Sequence, residues 1–132
     1  EDQRLLMDRS QIEQVLINLL KNAQEAVEIR MKEEAAGLSD EAEPAQSQAS
    51  YVRLTTHLSS NKRDFIISIT DNGKGILPEV MERIFVPFFT TKTNGSGIGL
   101  SICKQIVTLH GGTITASSKP GDKTTFSVVL PV

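Results

Sequence analysis

What this sequence lacks narrows what it can do. It has no second cysteine, so Cys103, set in an apolar run, has no partner for a disulfide or a metal site and reads as a small buried hydrophobe. It has no basic excess. Its 14 lysines and arginines stand against 16 acidic residues, a net charge of -2 with nothing to attract nucleic acid or an anionic membrane. No apolar stretch is long enough to span a bilayer, and no signal peptide is visible. There is no initiator methionine; the chain begins at Glu1-Asp2-Gln3-Arg4, as expected of a piece of a longer protein. What is present, 132 residues of which 39% are hydrophobic and 23% charged, suffices for one globular domain with a real core, but not for two.

After a short apolar run at Leu5-Leu6-Met7, Asp8 or Ser10 can cap a helix. Ile12, Val15, Leu16, Leu19, Ala23, Ala26 and Val27 then recur at helical spacing, predicting a helix to about Met31 or a little beyond. From Lys32 to Ser50 the pattern dissolves into Ala, Glu, Ser, Gln, Gly and Pro, which reads as a flexible insertion tolerated on the surface. Alternation predicts strands at Tyr51–Thr56 and Phe65–Thr70, joined by a turn at Asn61-Lys62. Pro78 opens a short helix through Phe85, and a Gly- and Thr-rich loop follows from Val86 to Ser96. A helix from Ile98 to His110 is stopped by Gly111-Gly112, and a hairpin over Thr113–Ser117 and Thr125–Leu130 closes the chain. This order predicts an α+β sandwich, helices on one face of a largely antiparallel sheet.

Three constellations carry candidate chemistry. Asn18 and Asn22, spaced i, i+4, share a helix face with Gln11, Gln14 and Glu25 near the same stripe. Amide oxygens are hard donors that can help hold Mg²⁺ beside phosphates, although by itself the pair also suits a solvated polar face. Asp71-Asn72-Gly73-Lys74-Gly75 ends a strand; its carboxylate can accept from an exocyclic amine of a purine, and its glycines let a flat ring approach, or it is an ordinary turn. Gly95-Ser96-Gly97-Ile98-Gly99-Leu100 runs into a helix, where backbone N–H groups can cradle phosphate or merely cap. It is neither a Walker loop nor a dinucleotide fingerprint, since no Gly-Lys-Ser/Thr ends it and its glycines are spaced G-x-G-x-G. Between them, Phe85-Val86-Pro87-Phe88-Phe89-Thr90-Thr91-Lys92 holds three of the five phenylalanines. These could anchor a lid from which Lys92 reaches a terminal phosphate, or be core residues beside a solvated lysine.

Taken in order, Asn18-Leu19-Leu20-Lys21-Asn22-Ala23, Asp71-x-Gly73-x-Gly75, Phe85-x-Pro87-Phe88, Gly95-x-Gly97-x-Gly99-Leu100 and Thr124-Thr125-Phe126 resemble the boxes of the catalytic ATP-binding domain of sensor histidine kinases. The resemblance covers nearly the whole chain. It implies the Bergerat ATP-binding sandwich, a mixed, mostly antiparallel sheet with helices packed on one face. It implies that Asn22, helped by Asn18, binds Mg²⁺-phosphate, with Asn22 the metal ligand. Asp71 would contact the adenine amine, Gly73 and Gly75 would shape that end, and Thr124 would lie near it. Gly95, Gly97 and Gly99 would line the phosphates, and Phe85 and Phe88 would pack the base of the lid. Ile76, Thr91, Lys92, Ile98 and Leu100 complete the implied ATP-binding set. Many members carry a basic residue three positions after the metal asparagine. Here Glu25 stands there, and the short Phe88–Lys92 lid resembles the nitrogen-regulation branch, which makes Lys92 the stronger candidate cation.

The same fold serves gyrase, heat-shock chaperones and MutL repair proteins as ATPases, and anti-sigma-factor serine kinases. Those relatives usually place a glutamate base four residues before the metal asparagine; here that residue is Asn18, and Gln14 one turn earlier is again an amide. Glu25 is the one rival carboxylate on that face. A neutral imidazole needs less help as a nucleophile, so Asn18 argues for phosphotransfer to histidine over hydrolysis, and the intact boxes disfavour the other alternative, a degenerate domain that binds nucleotide only as a scaffold. Catalysis would rest on positioning and charge neutralisation by Asn18, Asn22 and Lys92. Neither His57 nor His110 suits the acceptor, which the resemblance places in an upstream dimerisation domain of the same protein. The further implied partners are ATP and a response regulator, with no nucleic acid. The whole protein is expected to be a homodimer and the fragment a monomer. The domain is expected to be cytoplasmic, with any membrane anchor outside it.

Overall fold

Asp8 starts the first helix. Its Oδ1 accepts the Gln11 backbone N–H at 3.0 Å, satisfying one of the donors a helix N-terminus leaves free. The computed structural model describes residues 7–35, 49–89, 99–119 and 122–132. From that cap α1 (Arg9–Ala35) runs 27 residues, burying Ile12, Val15, Leu19, Ala23 and Val27 along one stripe. It extends four residues into the segment expected to be an insertion. Apolar periodicity ends there, but Glu, Lys and Ala are good helix formers, and Arg30 bonds Glu34 one turn on at 3.2 Å. Asp8→Ala is expected to cost about 1 kcal/mol, the usual worth of such a cap, read as a lower urea midpoint at unchanged m-value.

Strands β1 (Val52–Leu58) and β2 (Asp64–Asp71) form a hairpin turned by Lys62 at φ 61. Then come α2 (Pro78–Met81), α3 (Gly99–Leu109), β3 (Thr113–Lys119) and β4 (Lys123–Pro131). The helix expected through Phe85 ends at Met81. Successive i→i+3 bonds, Arg83 to Val80 and Val86 to Arg83, take over as turns. α3 ends in a Schellman arrangement. Gly111, at φ 75, donates to Thr108, and Gly112 donates back to Val107. Gly112 lies so close to the Val129 carbonyl of β4 that a Cβ would collide with it, which seats the helix end on the sheet.

The sheet has the order β1-β2-β4-β3, with all three pairings antiparallel among the described strands. Alternation along β2 and β4 turns Ile67, Ile69, Phe126, Val128 and Leu130 to one face. There they pack with Ile114 of β3, the α1 stripe and Cys103, Ile106 and Val107 of α3. On the opposite face Ser68 meets Ser127 and Thr70 meets Thr125 through hydroxyl hydrogen bonds of 3.1 and 2.9 Å. Helices therefore cover one face of an antiparallel sheet, the expected α+β architecture. Cys103 is fully buried and its thiol is pushed up to about 11 by that burial, consistent with a packing role. Among the described residues no helix is long and apolar enough to cross a membrane.

Candidate functional site

Antiparallel register places Asp71, at the end of β2, directly opposite Thr124, near the start of β4. Both point to the helix side and are almost fully buried. Asp71 Oδ1 accepts the Gly73 N–H at 2.8 Å. Burial raises the Asp71 pKa above the ordinary 3.8, and the Gly73 hydrogen bond only partly offsets it. A carboxylate held this way is costly to leave in an empty protein interior, and it suits a ligand donor such as an amine.

Gly73 fits because it is glycine. A Cβ there would lie 2.6 Å from the Ala26 carbonyl carbon and 2.7 Å from its Cβ and oxygen, so the loop packs directly on α1. Gly75 takes φ 78, a left-handed turn that frees the chain to leave the sheet. Ile76 follows, half buried, and donates its N–H to Ser118 Oγ at 2.8 Å. Ser118 Oγ also meets Thr124 Oγ1 at 2.8 Å, so one serine of β3 joins the loop to β4.

On α1, Asn18 and Asn22 are both half buried on one stripe; Glu25 is half buried beyond them, while Gln11 and Gln14 are exposed. Asn18 Oδ1 lies 3.7 Å from where a Cβ of Gly99 would stand, at the start of α3. Its side chain also hydrogen-bonds Cys103. The first asparagine thus faces the N-terminus of α3, where backbone N–H groups and the helix dipole favour an anion. Leu100, half buried, packs against the core. The two amides present hard oxygens, which fit a Mg²⁺ ion that takes its other ligands from phosphates and water. Among the described residues no three His, Cys, Asp or Glu side chains gather as a metal cluster.

Phe85 packs edge-to-face on Phe126, ring centroids 6.4 Å apart, with Lys104 Nζ 5.6 Å from its centroid. Phe88 was expected to pack with Phe85 at the base of the lid, whose residues 90–98 lie outside the described residues. Phe88 itself is 78% exposed and takes φ 68. Thr91, Lys92, Gly95, Gly97 and Ile98 lie outside the described residues. Three further groups at the site carry no signal in the sequence. Arg30 continues the Asn18–Asn22–Ala26 stripe by one turn and donates to the Asn72 carbonyl at 2.6 Å. The Asn72 side chain is buried and bonds Tyr51 and Ala49. Ser118 could be found only by setting the hairpin register, which puts it opposite Thr124. A cleft of about 370 Å³ between α2 and β3 has Ile76, Met81, Ala116 and Ser118 in its walls, but none of Asn18, Asn22 or Asp71. The polar groups that converge lie between α1, α3 and the ends of β2 and β4, and we place the candidate site there.

Over residues 7–132 the chain matches the family described as histidine kinase-, DNA gyrase B-, and HSP90-like ATPase. It is 37% identical over 125 residues to the signal transduction histidine-protein kinase AtoS of Escherichia coli (strain K12), covering 95% of this chain and 17% of that protein. It is 36% identical over 126 residues to the sensory histidine kinase/phosphatase NtrB of Rhizobium meliloti (strain 1021), covering 94% of this chain and 31% of that one. A nucleotide-free catalytic domain of histidine kinase ThkA superposes with a TM-score of 0.71 at 32% identity, covering 99% of this chain and 71% of that chain. The chain thus spans a third or less of the two curated relatives.

Proposed function

Because the chain belongs to the histidine kinase-, DNA gyrase B-, and HSP90-like ATPase family, we propose that it is the Mg-ATP-binding catalytic domain of a two-component sensor histidine kinase. Adenine sits at the Asp71 end, its amine donating to the carboxylate that Gly73 orients. Gly75, Ile76 and Thr124 shape that end, and Phe85 braces the segment beside it. Phosphates lie toward Asn18, Asn22 and the start of α3 at Gly99 and Leu100, with Gly95, Gly97, Ile98, Thr91 and Lys92 completing their surroundings. Asn22, helped by Asn18, holds Mg²⁺. The ion, when bound, screens the charge on the phosphates.

The observation that carries the kinase reading over hydrolysis is Asn18. An amide, not a carboxylate, stands one turn before Asn22 and faces Gly99. It cannot take a proton from water. A neutral imidazole nitrogen supplied by an upstream dimerisation domain needs less help of that kind, because its lone pair attacks without first losing a proton. It attacks the γ-phosphorus, the bond from that phosphorus to the β–γ bridging oxygen breaks, and the bond electrons leave with ADP. The chain's own residues position the nucleotide for that step. A response regulator would receive the phosphoryl group in turn, and the whole protein would work as a homodimer.

Asn22→Ala is expected to weaken Mg-ATP binding about 10-fold or more, the scale of losing a hydrogen-bonded contact to a charged group. The loss should vanish when affinity is measured in excess chelator without Mg²⁺. The kinase reading is tested by incubating the protein, joined to its upstream domain, with ATP labelled at the γ-phosphate. Acid-labile, base-stable label on the protein supports it. Steady phosphate release with no protein label would show a family ATPase instead, with Glu25 the nearest carboxylate for a base.

A further inference from the structure

One peptide group, between Asn72 and Gly73, lies at the centre of the adenine end. Its N–H, on Gly73, donates to Asp71 Oδ1 at 2.8 Å. Its carbonyl, on Asn72, accepts Nη1 of Arg30 at 2.6 Å. The described chain has no cis peptide bond, and in a planar trans peptide the C=O and N–H point in opposite directions. Fixing one end therefore aims the other. Arg30 itself is held by Glu34 through Nε at 3.2 Å, and its Nη1 also reaches the Asp122 carbonyl at 3.5 Å. The Asn72 side chain anchors the residue that carries this carbonyl. Oδ1 accepts the Tyr51 N–H at 2.8 Å, and Nδ2 donates to the Ala49 carbonyl at 2.9 Å.

We infer that Arg30 is a positioning residue for nucleotide selection: through the Asn72–Gly73 peptide it fixes the orientation in which the Asp71 carboxylate meets the base. The inference deepens the ATP-binding reading and rests on it. Arg30 acts on the carboxylate through this peptide. It decides whether the carboxylate presents an oxygen to the 6-amine of adenine and repels the 6-oxygen of guanine. A carboxylate freed from the Gly73 N–H can rotate, and then both the adenine contact and the discrimination against guanine decline.

The test compares Arg30→Met, which keeps the apolar stem and removes the donors, with Arg30→Lys, which keeps a charged donor group. Calorimetry with Mg-ATP and Mg-GTP reads affinity and preference, and thermal melts confirm folding. The expected result for Arg30→Met is an ATP affinity about 10-fold lower, the worth of one charge-assisted hydrogen bond, and a narrowed preference for ATP over GTP. Arg30→Lys should restore most of both. In an Asp71→Asn background, Arg30→Met should add no further loss, because the two act as one unit. Unchanged preference in Arg30→Met, or an equal loss in both backgrounds, overturns the inference. Hydrogen exchange at the Gly73 amide in the nucleotide-free chain gives a second reading that needs no ligand. Exchange faster in Arg30→Met but not in Arg30→Lys supports the positioning role, and unchanged exchange overturns it. If Asp71→Asn leaves ATP affinity intact while Gly73 exchange still responds to Arg30, the adenine assignment has failed and the mechanical link has not.

Discussion

Asp71→Asn is expected to lower ATP affinity about 100-fold, the upper range for a hydrogen bond to a charged group, while leaving the nucleotide-free domain at least as stable as the parent. The two effects share a cause. Asp71 is 2% exposed, and burial raises its pKa above 3.8. A group whose folded-state pKa is raised favours the fold most below its unfolded pKa, and that advantage is lost as pH rises through the folded-state value. At neutral pH the ionised side chain is therefore a burden on the empty domain, and the amide removes it. The Asn Oδ1 can still accept the Gly73 N–H, so the loop is retained. Denaturation across pH reads the stability half. The gain of the asparagine variant over the parent should shrink on acidification. ATP affinity of the parent should fall over the same interval, at a pH above that of an ordinary aspartate, because the protonated carboxyl is a poorer acceptor for the adenine amine.

Gly73→Ala should damage both fold and binding. The added Cβ meets two backbone atoms of Ala26 as well as its Cβ, at 2.6 to 2.7 Å. Backbone in the middle of α1 cannot move aside without disturbing Ala23 and Val27, which are buried in or beside the core. The loop must lift instead, taking the Gly73 N–H from Asp71. Overpacking of this kind costs about 1–3 kcal/mol, or a melting temperature lower by roughly 3–12 °C for a domain of this size. ATP affinity should drop at least as far as in Asp71→Asn. Adding Ala26→Gly removes one of the three obstructing atoms and leaves two, so the double variant should recover little. A Gly73→Ala protein that melts with the parent and binds ATP normally would show that the loop does not rest on α1.

The parts of this fold visible in the sequence are those written in local periodicity. Ile12 to Val27 at helical spacing, alternation from Phe65 to Thr70 and Gly111-Gly112 after Leu109 each specify an element without knowledge of its neighbours. Asn18 and Asn22 share a face for the same reason, and Asp71 ends a strand whichever strand it pairs with. The extent of α1 was less legible, because Lys32 to Ala35 carry helix propensity and one ion pair but no apolar stripe. The brevity of α2 and the exposure of Phe88 depend on turns whose i→i+3 bonds leave no periodic trace. The residues missed altogether act across large separations. Arg30 reaches Asn72 over 42 positions, and Ser118 reaches Ile76 over the same span. Such pairs become visible only after strand register and helix packing are set. In the sequence Gly73 offers room for a ring. The structure adds that it is also the contact between the loop and α1.

One titration tests the adenine site most directly. The chain, in buffered Mg²⁺, is titrated calorimetrically with ATP and then with GTP. Saturable one-to-one binding of ATP is expected, with GTP much weaker because its 6-oxygen confronts the Asp71 carboxylate. Absence of ATP binding, or equal affinity for the two nucleotides, would contradict the adenine assignment.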